Sequence, residues 1–329
     1  MKLPAFLSQC RRSLRSIAST ALTAALGLFP MATGARAQDA ANSVAPEDRE
    51  GCVWEVTGGS GGTVYLAGSV HLLREQDYPV SPIYDEAYAN SHEIVMEIDM
   101  GEMLNPEGVM KMQALGMYGA GDSLDQHLSP ETLDRLRKYL DTHDMGKMLA
   151  LALPRLKPGM IFMTISSLEA MRLNAKPELG LEMTYFGKAQ EDAKPIRGLE
   201  TIEFQMTRFD ELSDTEIEEL ITKTLDEVHE MPDMIDKLIA AWHMGDEAKL
   251  DKLMNDQMEE EGKIRELLLT ERNANWVPEI EKSLKGKKNV MFIVGAAHLI
   301  GKGSVIDLLR TKGYEVKKIA PKAVLKKAA

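Results

Sequence analysis

Residues 65–73 read Tyr-Leu-Ala-Gly-Ser-Val-His-Leu-Leu, and residues 292–300 read Phe-Ile-Val-Gly-Ala-Ala-His-Leu-Ile. Position by position both run aromatic, aliphatic, apolar, Gly, small, small to medium, His, Leu, aliphatic. Each is an apolar strand, then Gly68 or Gly295 where a side chain would obstruct the backbone, then His71 or His298 in the following turn. That places an imidazole at the C-terminal end of a strand, where ligands gather in open α/β sheets. A single Gly-x-x-His is a weak signal, and a histidine after a strand serves equally well as a hydrogen-bonding turn residue. The nine-position echo carries the argument. It predicts a duplicated half-fold whose two histidines face one another.

Working outward, Trp54–Thr57 and Thr63–Ala67 read as two strands joined by the glycine-rich turn at 58–62, a hairpin pattern. Ile94–Ile98, Val290–Val294 and Glu315–Ile319 read as further strands. Helical spacing appears at 130–140 behind Ser129, at 213–228, at 248–269, at 278–284 and at 305–312. The order is strands, a long helical middle, then strand–helix–strand. The fold class expected is α/β (α+β), with the duplicated strand–Gly-x-x-His halves forming one core and the helical middle a cap. No Pro-rich or Ser-rich spacer divides residues 51–329, which favours a single domain.

Carboxylates extend the constellation. Glu97 lies inside the apolar strand Ile94-Val-Met-Glu-Ile98, where an unpaired charge is costly unless it binds a cation or accepts hydrogen bonds. Glu200, after the apolar Pro195-Ile196, reads as a strand-end acid. For both acids the structural alternative is a salt bridge, for instance to Arg197 or Arg272. Two neutral imidazoles with one or two carboxylates suit a first-row divalent ion such as Mn, Co or Zn. Such an ion lowers the pKa of a bound water, with a carboxylate as general base. The other five histidines, His92, His127, His143, His229 and His243, have no partner spacing and read as surface or capping residues. The chain has 21 Met, many of them in its middle. Without a companion Cys or His cluster they read as an adaptable core or groove wall rather than a copper site.

The chain has 329 residues and a formal charge of −12, which argues against a sequence-independent grip on nucleic acid or anionic lipid. Its first 37 residues carry five basic side chains and no acid, and they include a 13-residue apolar run at 17–29 and then Ala35-Arg36-Ala37. These are the three parts of a secretory signal, with cleavage expected after Ala37 and a polar linker at 38–50. The apolar run is too short to span about 30 Å of hydrocarbon. Arg11-Arg12-Ser13-Leu14 matches a twin-arginine export signal only in part, so the general secretory route is favoured. Cleavage leaves 34 basic against 51 acidic residues, a net −17 on 292 residues. It also removes Cys10, so that Cys52 alone remains and no internal disulfide can form. The expected location is periplasmic or secreted, with no membrane span after cleavage.

At the residues just described the sequence resembles the TraB/GumN family, which includes the Tiki proteins, over roughly Trp54 to Ile319. The matching stretches are Leu66-Ala-Gly-Ser-Val-His71, Val95-Met-Glu97-Ile, Gly198-Leu-Glu-Thr-Ile-Glu-Phe-Gln205, Arg272-Asn273 with Trp276, and Val294-Gly-Ala-Ala-His298-Leu-Ile-Gly301. The resemblance implies a duplicated α/β core and, from the Tiki members, a metal-dependent peptidase activity. It implies His71, His298 and Glu97 as metal or catalytic residues, Arg272 as charge stabiliser, and Glu200 as a bacterial GumN-like site residue. Relatives often carry Gly–hydrophobic–Asp where this chain has Gly180-Leu181-Glu182, and Glu182 is not assigned to the site.

The leading functional expectation is an exported metal-dependent hydrolase acting on a peptide or protein. Two others stay open: a periplasmic protein binding haem or another ligand without turnover, and an inactive relative acting by protein contacts. N-terminal sequencing of the exported protein is expected to begin at Gln38; a mature chain that keeps residues 1–37 would overturn the signal-peptide reading.

Overall fold

The computed structural model describes residues 44–59, 61–255 and 262–321, so the expected signal peptide and the first part of the linker lie outside the described residues. Six strands run in chain order: β1 (Val53–Thr57), β2 (Val64–Ser69), β3 (Glu93–Ile98), β4 (Ile196–Glu200), β5 (Val290–Gly295) and β6 (Glu315–Lys318). They form one sheet in the order β4-β3-β5-β2-β1-β6. The expected hairpin is present, with Trp54 opposite Leu66 in antiparallel β1 and β2.

The two echoing runs are neighbours. β2 and β5 pair in parallel from Val64 opposite Val290 to Ser69 opposite Gly295. Every residue of both strands is buried. Near-continuous apolar runs belong in the middle of a parallel sheet, covered on both faces. β3 joins β5 on its other side, also parallel, with Glu93 opposite Val290. Three parallel strands therefore end together at Ser69, Ile98 and Gly295, the edge the two histidines were expected to occupy. At the margin β6 carries the charged sequence Glu-Val-Lys-Lys, which suits an exposed edge.

Two glycines allow the close approach. A Cβ on Gly68 would stand 3.2 Å from Cys52 Cβ and 3.3 Å from Ala296 Cα, tighter than ordinary packing. The Gly68 carbonyl also accepts from Trp242 Nε1 at 2.8 Å and from Tyr84 Oη at 2.9 Å. Cys52 is buried, as its place at the start of β1 requires.

By contacts the chain separates into two compact units. The first contains Ile98–Glu178 and Glu200–Pro232 and is helical apart from the isolated bridge between Met117 and Leu156. Its helix Pro130–Asp141 starts where the sequence indicates, Ser129 Oγ accepting from Thr132 N at 3.2 Å, and buries Leu133, Leu136 and Leu140. Helix Asp214–Glu227 opens on a capping box between Ser213 and Glu216. Helix Pro158–Arg172, buried along much of its length, has no polar face to mark it and was not read from spacing.

The second unit contains the sheet with residues 44–97, Leu179–Leu199 and 233–321 of the described chain. Three differences from the sequence reading fall here. Arg49, expected in a linker, is buried and donates to the carbonyls of Gln76 (3.1 Å), Asp77 (2.7 Å) and Pro79 (2.5 Å). The helix expected at 248–269 is Glu247–Asn255, then Gly262–Arg265 running into a π-helical turn at Glu266–Thr270, with 256–261 outside the described residues. The helix expected at 278–284 begins at Glu271 and carries Pro278 inside it, because Arg272, Asn273, Trp276 and Val277 of its first turns are buried against the sheet unit's core.

Two histidines expected at the surface are interior. The His143 side chain is 7% exposed and packs its ring 4.7 Å from Tyr139 in the helical unit. His243 is 3% exposed in the sheet unit, beside Trp242, with no hydrogen-bond partner for Nε2. Burial pushes His243 down to about 4, and the positive charge of Arg49 adds to the effect. The unfolded chain titrates near 6.5, so between about 6.5 and 4 it binds a proton that the fold refuses. Stability conferred by neutral His243 is complete above that window and is lost as pH falls through it. Urea unfolding at steps from pH 7 to 4 is expected to show a shallower decline in His243→Asn than in wild type; parallel declines would overturn the assignment.

Candidate active site

The site is built at the shared C-terminal edge of β2, β3 and β5. Glu97 extends from β3 across the end of β5, where its Oε1 accepts from Gly295 N at 2.7 Å. A Cβ on Gly295 would meet Glu97 Oε1 at 3.2 Å, tighter than ordinary packing, with His298 Cδ2 at 3.6 Å and His71 Nε2 at 3.7 Å. The glycine of the second echo is thus the floor of a small cradle ringed by the carboxylate and both imidazoles.

The helix Glu271–Lys285 supplies the rest. Arg272 and Trp276, one turn apart, share a face, with the guanidinium 5.0 Å from the indole ring. Arg272 Nη2 donates to Glu97 Oε2 at 2.6 Å, and Nη1 reaches His298 Nε2 (3.2 Å) and the Leu268 carbonyl (3.1 Å) inside the π turn. The neighbouring Asn273 places Oδ1 2.7 Å from His298 Nδ1 and anchors its own Nδ2 on the Gly303 carbonyl at 3.0 Å. His298 lies in the short turn after β5, 4% exposed, with the Trp276 ring 4.3 Å away.

The first echo is finished differently. The Val70 carbonyl accepts from Leu181 N at 3.2 Å, fixing the start of helix Leu181–Glu191 beside the turn that carries His71. Glu182, in the first turn of that helix, then reaches both ends of the echo. Its Oε1 lies 2.7 Å from His71 Nδ1 and accepts from Ser69 Oγ. Glu182 is buried at 8% exposed, and its Oε2 has no hydrogen-bond partner. His71 keeps 65% of its side chain open.

These partners drive the two histidines apart. The Glu182 charge, with Glu97 behind it, pushes His71 up to about 9. Burial pushes His298 down to about 3, and Arg272 adds to the shift. Burial alone would raise Glu97, but Arg272, both histidines and the Gly295 N–H outweigh it and hold the carboxyl far below the usual range. Glu182 follows the same logic, burial being outweighed by His71 and Ser69. At neutral pH the cluster holds two carboxylates against one guanidinium and one imidazolium.

Of the residues expected from sequence, His71, Glu97, Arg272 and His298 are gathered here. Glu200 ends β4, falls in the helical unit and accepts from Gln205 Nε2 at 2.8 Å. Sequence reading missed Glu182 and Asn273. Glu182 sits in the first turn of a helix, two residues after Gly180, and that place was the available signal. Asn273 stood beside a chosen arginine without a spacing of its own.

Among the described residues no three His, Cys, Asp or Glu side chains form a ready metal cage. The donors nonetheless fit a divalent ion in kind. Each imidazole has Nδ1 engaged, by Glu182 or by Asn273; His71 Nε2 is turned towards the cradle, while His298 Nε2 faces Arg272 Nη1 at 3.2 Å. In the arrangement seen, the cation among Glu97 and His298 is the Arg272 guanidinium. Removing one partner of a buried ion pair strands the other, at a cost of about 3–5 kcal/mol. Glu97→Ala is expected to lose that much in urea unfolding, and Glu97→Ala with Arg272→Met to lose less than the two single changes summed. Additive losses would show that the pair does not act as a unit.

No solved structure matches the chain. The uncharacterized protein YbaP of Escherichia coli (strain K12) is 22% identical over 246 residues, covering 75% of this chain and 87% of YbaP. The zebrafish (Danio rerio) protein named metalloprotease TIKI2 is 21% identical over 306 residues, 78% of this chain but 58% of TIKI2. A metalloprotease TIKI homolog of Amphimedon queenslandica is 26% identical over 191 residues, half of this chain and 38% of that protein. Residues 52–318 match the family model described as TraB/PrgY/gumN, and the chain belongs to that family.

Proposed function

We propose that the protein is an exported hydrolase of peptide bonds, metal-dependent, acting in the periplasm or outside the cell on a peptide or protein. The carrying observation is the cradle at Gly295, where Glu97 Oε1 and His71 Nε2 lie within 4 Å of one missing Cβ and His298 closes the ring. Distant relatives named as metalloproteases support the choice of bond. His71, Glu97 and His298 would hold a divalent ion of the Mn, Co or Zn class, which when bound supplies a Lewis acid and lowers the pKa of water.

The chain's own residues supply the remaining roles. Glu97, anchored by Gly295 N–H and Arg272, is a fixed acceptor at the floor of the site and a poor proton carrier. His71 is the open member of the cluster and the one a substrate meets first. Arg272 holds its positive charge in a largely buried place, suited to the oxyanion that develops when a carbonyl is attacked. Glu200 is given no step.

Digestion of an unbiased peptide library by the mature protein is expected to require Mn, Co or Zn and to stop on chelation. His71→Ala and Glu97→Gln are each expected to lower kcat/KM by about 10²-fold or more. Cleavage that persists undiminished in chelated, metal-free protein would overturn the metal dependence, and a library left intact under every metal would overturn the hydrolase.

A further inference from the structure

We infer that Glu182 is the positioning residue of the site, fixing the His71 ring so that Nδ1 carries the proton and Nε2 is presented to the cradle. Three observations meet on this residue. Its Oε1 receives His71 Nδ1 at 2.7 Å and, from the same echo, the Ser69 hydroxyl, so ring and strand end are tied to one atom. Glu182 is itself held, being 8% exposed and in the first turn of a helix whose Leu181 N–H bonds the Val70 carbonyl. The His71 ring, by contrast, is largely open, 65% of its side chain being exposed.

A neutral imidazole has one N–H and one lone pair, and an acceptor at one nitrogen decides which is which. A carboxylate at Nδ1 therefore turns the other nitrogen into the one that faces metal, water or substrate. Asn273 performs the same office for His298 from a different helix, leaving its Nε2 to face Arg272 Nη1 at 3.2 Å. The carboxylate costs something to bury, since Oε2 has no partner.

The role rests on the hydrolase reading for its catalytic meaning, but its test does not. In metal-free protein labelled with 15N-histidine, long-range 15N–1H correlations of His71 are read at a pH above its raised titration range. Wild type and Glu182→Gln, which keeps an acceptor oxygen, are expected to show the proton on Nδ1; Glu182→Ala is expected to shift it to Nε2. Direct titration with Zn is expected to weaken by about 10–100-fold in Glu182→Ala and to be partly rescued in Glu182→Asp. Thermal unfolding of each variant checks that it is folded. Wild-type His71 protonated on Nε2, or Glu182→Ala keeping the Nδ1 proton, overturns the inference. If Zn does not bind wild type while the tautomer behaves as expected, the metal reading fails and the positioning role stands. If wild type binds Zn and cleaves peptide but Glu182→Ala matches it in tautomer and affinity, the positioning role fails alone.

Discussion

The parallel pairing of β2 with β5 is the constraint from which the rest of the site follows. Both are six-residue apolar runs, and their backbone groups must find partners away from water. Side by side at the centre of the sheet they satisfy one another. Because the pairing is parallel, the turns that follow them emerge at the same edge, and each turn carries a histidine. β3, parallel on the far side of β5, brings Glu97 to that edge as well. Gly68 and Gly295 keep the strand ends free of side chains that would push these parts away from each other.

A repeated motif does not make two equal sites. His71 and His298 begin from the same sequence pattern and end in opposite protonation states at neutral pH. The difference comes from what the neighbouring helices contribute: a carboxylate beside an open ring in one case, an amide, an indole and a guanidinium around a buried ring in the other. Charge and burial each move a titration by separate routes, and here they are applied to different copies. The outcome is a balanced cluster in which Arg272 and His71 offset Glu97 and Glu182.

The strands were legible because long apolar runs bounded by glycine have few other solutions, and the echo fixed which of them mattered. Glu97 was legible as an acid inside the apolar run Ile94–Ile98. The helical unit was less so. Helix Pro158–Arg172 is apolar on most sides, so spacing has no contrast to work with. Glu182 and Asn273 act through a second residue rather than by their own pattern, and His243 reads as polar until the fold shows it enclosed. Such partners are set by the approach of elements distant in sequence, which no local window contains.

The π-helical turn at Glu266–Thr270 gives chain length itself a role in the site. A π turn is an α-helix carrying one residue too many, and such turns recur at functional places. The wide turn takes up that residue, so the helix beyond it still aims Arg272 at Glu97 and Asn273 at His298. Inside the turn the Leu268 carbonyl accepts from Arg272 Nη1. An extra residue in this stretch puts a backbone acceptor where the guanidinium needs one.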